Sequence, residues 1–328
     1  MQQRFSSAAP WPRFVTMTLA IVLGLVGVGG PRPTAQQPTN GSQKKVRLNR
    51  VIEQLELGRP VVGPIVLNGS LADARALATS DIDFALIDME HGPYDIAALQ
   101  LTLLGMTDKA TIVRTGNLRP NVVPTVRIPM HGYEDPIYTV KQLLDIGVFG
   151  IMFPRVSTKA EALTAVKAMR YPQRKDSKYP EPLGERGFSP SAAVWYWGLS
   201  SSAEYLQRAD VWPLNPDGEL FAFLQIETPE GVKNINEIMQ VPGIGSIVIG
   251  TSDLGNAIGE GPGSPPQPRT EALVQTVLKA CLAKNIPCGI VAGNVADVTR
   301  RLKEGFKVLF VPATEQSAAL RAARELSK

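Results

Sequence analysis

Cysteine and histidine are scarce: the 328-residue chain has only two of each. Cys281 and Cys288 cannot make a disulfide framework, and a domain of this size does not need a staple, so both are expected as small buried residues. The longest apolar stretch, from Val15 to Gly30, falls short of the ~20 residues that a spanning helix needs. Pro31 and Pro33 close it sharply. Arg4 and Arg13 precede it, and no acidic residue occurs before residue 36. That layout predicts a secretory signal peptide over residues 1–35, and with it export to a periplasmic or extracellular space. An uncleaved membrane anchor is the alternative, because Pro33 in Pro33-Thr34-Ala35 stands where a small residue is usual. With no cysteine near the run, a lipid-modified start is excluded.

An excess of charge of one sign is also missing. The formal charge of +4 includes Arg4, Arg13 and Arg32, so residues 36–328 carry 4 − 3 = +1. A chain so near neutrality has no electrostatic footprint for nucleic acid. Lys44, Lys45, Arg47 and Arg50 cluster as the solvated start of a first helix, and residues 36–43 read as a flexible tether. Residues 36–50 are therefore a tether leading into that helix, and 51–328 are the folded domain.

What is present is alternation. Strand-like runs at Val61–Leu67, Phe84–Asp88, Val123–Pro129, Phe149–Pro154, Leu220–Thr228, Ser246–Gly250, Pro287–Val291 and Val308–Val311 are each followed by a helical pattern. These helices are expected at Ser70–Thr79, Tyr94–Met106, Pro136–Ile146, Lys159–Met169, Glu230–Met239, Thr270–Lys284, Val295–Gly305 and Gln316–Leu326, with Ser70 as an N-cap and Asp73 three residues on. Eight strand–helix pairs in one domain predict an α/β fold of the (β/α)₈ TIM barrel type rather than a doubly wound sheet. Residues 171–219, rich in Pro, Gly and Ser and holding Trp195, Tyr196, Trp197 and Trp212, interrupt the alternation. An irregular segment this long is expected to be a lid, a binding loop or an oligomer contact.

The chemistry sits at the strand ends, which share one mouth in a parallel barrel. The second strand runs out into Asp88, Glu90 and His91, the third ends at Arg127, the fifth in Gln225 and Glu227, and the sixth in Gly250, Ser252 and Asp253. Glu227 and Asp253 are hard oxygen donors from neighbouring strands and suit a divalent metal ion such as Mg²⁺, Mn²⁺ or Co²⁺; Asp253 could otherwise be a helix cap. Arg127 can fork onto a carboxylate or a developing enolate oxygen, and Gly250 and Ser252 offer backbone N–H groups to the same anion. His91, paired with Asp88, can accept a proton near neutral pH. None of these strand ends carries a lysine, which argues against a Schiff base. His131 reads as part of a loop and helix cap.

These residues resemble a known family. Asp88 to Pro93, Val126 to Pro129, Leu144 to Arg155, Arg170 to Pro172, Gln225 to Thr228 and Ile249 to Leu254 together look like the HpcH/HpaI aldolase/citrate lyase family, the class II pyruvate aldolases that act on 4-hydroxy-2-oxo acids. The likeness runs in order from about Val61 to Thr314. It implies a barrel of the phosphoenolpyruvate/pyruvate-binding type, with His91 as base oriented by Asp88, Arg127 on the pyruvyl oxygens, Glu227 and Asp253 on the metal, and Gln225, Gly250 and Ser252 lining the pyruvate pocket. It also implies a homo-oligomer, commonly a hexamer, in which the last helix packs against a neighbour. Phe188–Ser202 and Gly259–Pro268 depart from the family pattern, where the second substrate is expected to bind. The leading expectation is a metal-dependent carbon–carbon lyase, an aldolase that splits a 4-hydroxy-2-oxo acid into a 2-oxo acid such as pyruvate and an aldehyde. The alternatives are an acyl-CoA lyase of the citrate or malyl type and an exported 2-oxo-acid-binding protein without turnover.

Overall fold

The computed structural model describes residues 46–67, 70–130, 135–263 and 265–327, so the expected signal peptide, the tether and His131 lie outside the described residues. Among the described residues nine strands form: β1 (Val61–Val66), β2 (Phe84–Asp88), β3 (Val123–Arg127), β4 (Gly150–Phe153), β5 (Val211–Trp212), β6 (Leu220–Ile226), β7 (Ser246–Ile249), β8 (Cys288–Val291) and β9 (Val308–Val311). Every pairing is parallel, and β4–β6 and β1–β9 close eight of the strands into a ring, with β5 added beside β6. This is the (β/α)₈ barrel that the alternation predicts.

The ring forms because its strands are apolar throughout, as a sheet buried on both faces requires. Phe84, Phe223 and Phe310 come from well-separated strands yet meet, with ring centroids 5.3 Å apart for Phe84–Phe310 and 6.1 Å for Phe84–Phe223. Such contacts across the ring are possible only in its interior, so the barrel is filled rather than open. Outside it, the helix Leu71–Ala78 starts with the expected capping box, in which Ser70 Oγ accepts from Asp73 N and Asp73 Oδ2 accepts from Ser70 N.

Two expectations need correction. The pattern over Glu230–Met239 is two short helices, Pro229–Lys233 and Ile235–Ile238, broken at Asn234, whose side-chain amide donates to the Ser157 carbonyl. The interruption 171–219 is not a lid over the mouth. It holds the helices Ser191–Tyr196 and Ser202–Arg208, and Trp197 stacks on Phe149 at 4.4 Å and donates to the Gly147 carbonyl at 2.8 Å. Phe149 precedes β4, so Trp197 and the helix before it pack at the end opposite the strand C-termini, and Phe188–Ser202 is not where a second substrate would be met. Buried Arg170, forked on Asp210 and donating to the Pro182 and Tyr179 carbonyls, ties down the rest. The last helix, Gln316–Glu325, docks on its own barrel, with Arg324 donating to Pro60 O and to the buried Asp83 carboxylate.

Candidate active site

Register places the first pair of functional side chains. Asp88 and Arg127 are direct partners across β2 and β3, at the last residue of each strand. Arg127 Nε donates to Asp88 Oδ1 at 2.9 Å and Nη2 to Oδ2 at 2.5 Å, a two-pronged ion pair that is almost fully buried. Burial pushes the Asp88 carboxyl up, but the Arg127 fork outweighs it and holds Asp88 below its ordinary value. The chain turns directly after β2, and the amides of Glu90 and His91 donate back to Asp88 Oδ1. That turn brings His91 Nδ1 to 3.1 Å from Asp88 Oδ2 and 2.8 Å from Arg127 Nη2, while most of the imidazole stays exposed. Glu90, which the motif analysis left without a role, closes the cluster with Oε2 at 3.1 Å from Arg127 Nη1.

The second group comes from β6 and β7. Glu227 is buried, with Oε1 accepting from Arg155 N at 2.9 Å and Oε2 from Gln225 Nε2 at 2.6 Å. Burial first, then the charges of Asp253 and Glu90, push its carboxyl up to about 8. Those influences bring Glu227, Asp253 and Glu90 within electrostatic reach of one another. Asp253 lies exposed in the first turn of the helix Thr251–Ala257, whose N-cap, Gly250, has no side-chain bond, and the Asp253 carboxylate makes no hydrogen bond among the described residues. Capping therefore does not explain it. Ser252 is exposed beside it. Gly250 differs from expectation: its N–H is taken by the Ile226 carbonyl at 3.0 Å, so it has none to offer an anion. Its role is space, because a Cβ there would stand 2.2 Å from Glu227 Oε2 and 2.7 Å from Gln225 Nε2.

Two donor sets could hold a cation. Asp88, Glu90 and His91 bring one ligand atom each within 4.8 Å of one another, but Arg127 already pairs with both carboxylates of that cluster. Around Glu227 the balance is different. Glu227 feels the charges of Asp253 and Glu90 and has no cationic side chain hydrogen-bonded to it, and Gln225 Oε1 is buried with no partner. A hard divalent ion satisfies all of this, so the donors present fit such an ion at Glu227 and Asp253 better than at Asp88.

The HpcH/HpaI aldolase/citrate lyase family model matches residues 68–319, which include every residue of this site. The chain belongs to that family. Among its HpcH/HpaI relatives, 2-dehydro-3,6-dideoxy-6-sulfogluconate aldolase of Pseudomonas putida is 29% identical over 265 residues, 81% of this chain and 90% of that protein. The 5-keto-4-deoxy-D-glucarate aldolase of Escherichia coli (strain K12 / DH10B) is 30% identical over 231 residues, 70% of this chain and 77% of that protein. Among solved structures, an HpcH/HpaI aldolase/citrate lyase family protein from Burkholderia cenocepacia J2315 superposes with a TM-score of 0.66 at 27% identity, covering 85% of this chain and 97% of that one. The chain is a carbon–carbon lyase of the aldolase type.

Proposed function

We propose that this lyase is a metal-dependent aldolase that cleaves a 4-hydroxy-2-oxo acid into pyruvate, or a related 2-oxo acid, and an aldehyde by way of an enolate. The observation that carries the reading is the pairing of a buried, cation-hungry carboxylate group at Glu227 with a base-and-arginine cluster at Asp88, His91 and Arg127. Glu227 and Asp253 would hold Mg²⁺, Mn²⁺ or Co²⁺, which when bound supplies Lewis-acid polarisation of the 2-oxo group.

The chain's own groups divide the remaining work. A guanidinium has five N–H donors; Asp88 takes two, and Glu90 stands in ion-pair contact with Nη1. One proton on each of Nη1 and Nη2 remains for the 2-oxo acid, and these stabilise the oxygen as enolate charge develops. His91 Nδ1 cannot both donate to Asp88 and accept from Arg127. With the proton on Nδ1 and shared with Asp88 Oδ2, Nε2 is bare and can take the C4 hydroxyl proton as the C3–C4 bond breaks. That tautomer also frees the second Nη2 proton. Arg127 and His91 thus act on the two halves of the substrate from one carboxylate anchor, Asp88.

The substrates named for the two relatives are a glucarate and a sulfogluconate, both acids at the far end as well, and we extend a doubly acidic substrate to this chain. Export through a signal peptide at residues 1–35 and assembly into a homo-oligomer belong to the same reading. The test is metal dependence: Glu227→Ala and Asp253→Ala should each abolish metal-stimulated pyruvate-aldehyde turnover while the melting transition stays cooperative. Full activity in chelator would contradict a metal-dependent mechanism.

A further inference from the structure

Arg155 follows β4 by two residues, in the Pro154-Arg155 pair, and no step above uses its side chain. Among the described residues, counting the last residue of each strand and the two that follow it, the only lysines or arginines are Arg127 and Arg155. Their situations are opposite. The Arg127 guanidinium is buried and already held by Asp88 and Glu90. Arg155 is a half-buried residue whose guanidinium has no hydrogen-bond or ion-pair partner among the described residues, although its backbone N–H is bound to Glu227 Oε1 at 2.9 Å. The root of an uncommitted cationic fork therefore stands on the wall of the metal-type site.

The backbone adds a second observation. Arg155 has φ 54°, one of only two non-glycine residues with positive φ among the described residues. That conformation suits Gly or Asn and costs an arginine roughly 1–2 kcal/mol. The turn needs the conformation to deliver the N–H to Glu227, but glycine would deliver the same N–H without strain. Keeping an arginine there calls for a use of the side chain.

Charge supplies that use. Asp88, Glu90, Glu227 and Asp253 are four carboxylates against the single forked Arg127, and even with a divalent ion added their sum is −4 + 1 + 2 = −1. A monoacid is held by Arg127 and the ion, whereas a second carboxylate on the aldehyde half meets an already negative site and needs its own cation. We propose that Arg155 binds the terminal carboxylate of a dicarboxylic 2-oxo acid, making it a specificity-determining residue. This rests on the aldolase reading for the orientation of the substrate, but its test requires no turnover.

The probes are 2-oxoadipate and 2-oxohexanoate, six-carbon 2-oxo acids that differ in the carboxylate at the far end, titrated by calorimetry in the presence of Mg²⁺. The wild-type protein is expected to bind the diacid more tightly, and Arg155→Gln to shrink that preference by roughly 10- to 100-fold, the range for loss of a charge-assisted fork. Arg155→Lys should keep part of it, as a point charge without the fork. Melting curves for both variants show that they fold. Equal affinity for the two acids in the wild type, or an undiminished preference in a folded Arg155→Gln protein, would overturn the assignment. Equal weakening toward both acids would do so too, since it would mean that Arg155 acts only by placing Glu227. A wild-type protein that shows the preference but exchanges no pyruvate methyl protons would instead remove the aldolase reading and leave Arg155 as the diacid ligand.

Discussion

Replacing Asp88 tests the anchor on which both His91 and Arg127 depend. Its two oxygens take Arg127 Nε and Nη2, the amides of Glu90 and His91, and His91 Nδ1. Arg127 is 8% exposed, so Asp88→Ala strands a buried guanidinium. Stranding one partner of a buried pair costs about 3–5 kcal/mol. Glu90, at 3.1 Å from Nη1, stays in place and offsets part of that, so a loss of roughly 2–4 kcal/mol is expected. Asp88→Asn should cost nearly as much despite its shape. An amide keeps the Oδ1 contacts but turns N–H donors toward Arg127 Nη2, which has only donors to offer. The pH dependence has a definite sign. Because the Asp88 carboxyl is held below its ordinary 3.8, its contribution is present above that value and is lost as pH falls through the lower folded-state value. The gap between wild type and Asp88→Asn should therefore be constant from about pH 5 to 8 and close in acid. Urea denaturation followed by circular dichroism measures it. An Asp88→Ala protein within about 0.5 kcal/mol of wild type at pH 7 would refute the idea that Asp88 is the anchor.

Three further outcomes follow from particular residues. In metal-free protein the Glu227 carboxyl sits at about 8 against an ordinary 4.5, so the neutral-acid contribution is full below 4.5 and fades as pH rises through 8; thermal melts in chelator should show stability falling across that window, and Glu227→Gln should flatten the slope. Gly250→Ala should lower turnover roughly 100-fold with the fold intact, because the new Cβ displaces the Glu227 carboxylate rather than removing a hydrogen bond; an unaffected rate would show that Glu227 tolerates displacement. The proposed removal of residues 1–35 on export should leave a mature protein that begins near Gln36 by mass spectrometry, whereas an intact Met1 in a membrane fraction would favour the anchor.

The barrel was legible because its strands are buried on both faces and read as unbroken apolar runs, and because a parallel sheet gathers the polar residues that end those runs. Asp88, Arg127 and Glu227 stood out for that reason. The helix Thr251–Ala257 did not, since a short segment carrying Gly255 has too few turns to show a period. The docking side of residues 171–219 was hidden for a different reason: Trp197 meets Phe149, and Arg170 meets Asp210, through tertiary contacts that no local pattern encodes. The use of the Gly250 amide by Ile226 depends on strand geometry in the same way. Arg155 was in view as part of a motif, but its backbone conformation and free guanidinium appear only in three dimensions.

Enolate formation is the central claim, and pyruvate methyl-proton exchange into heavy water follows it without the unidentified aldehyde. With a divalent metal and pyruvate, the unmutated protein should exchange those protons well above the no-enzyme background, and His91→Ala should slow the full aldol reaction by roughly two to four powers of ten while pyruvate still binds. Exchange at the background rate in the unmutated, metal- and pyruvate-bound protein would contradict the account.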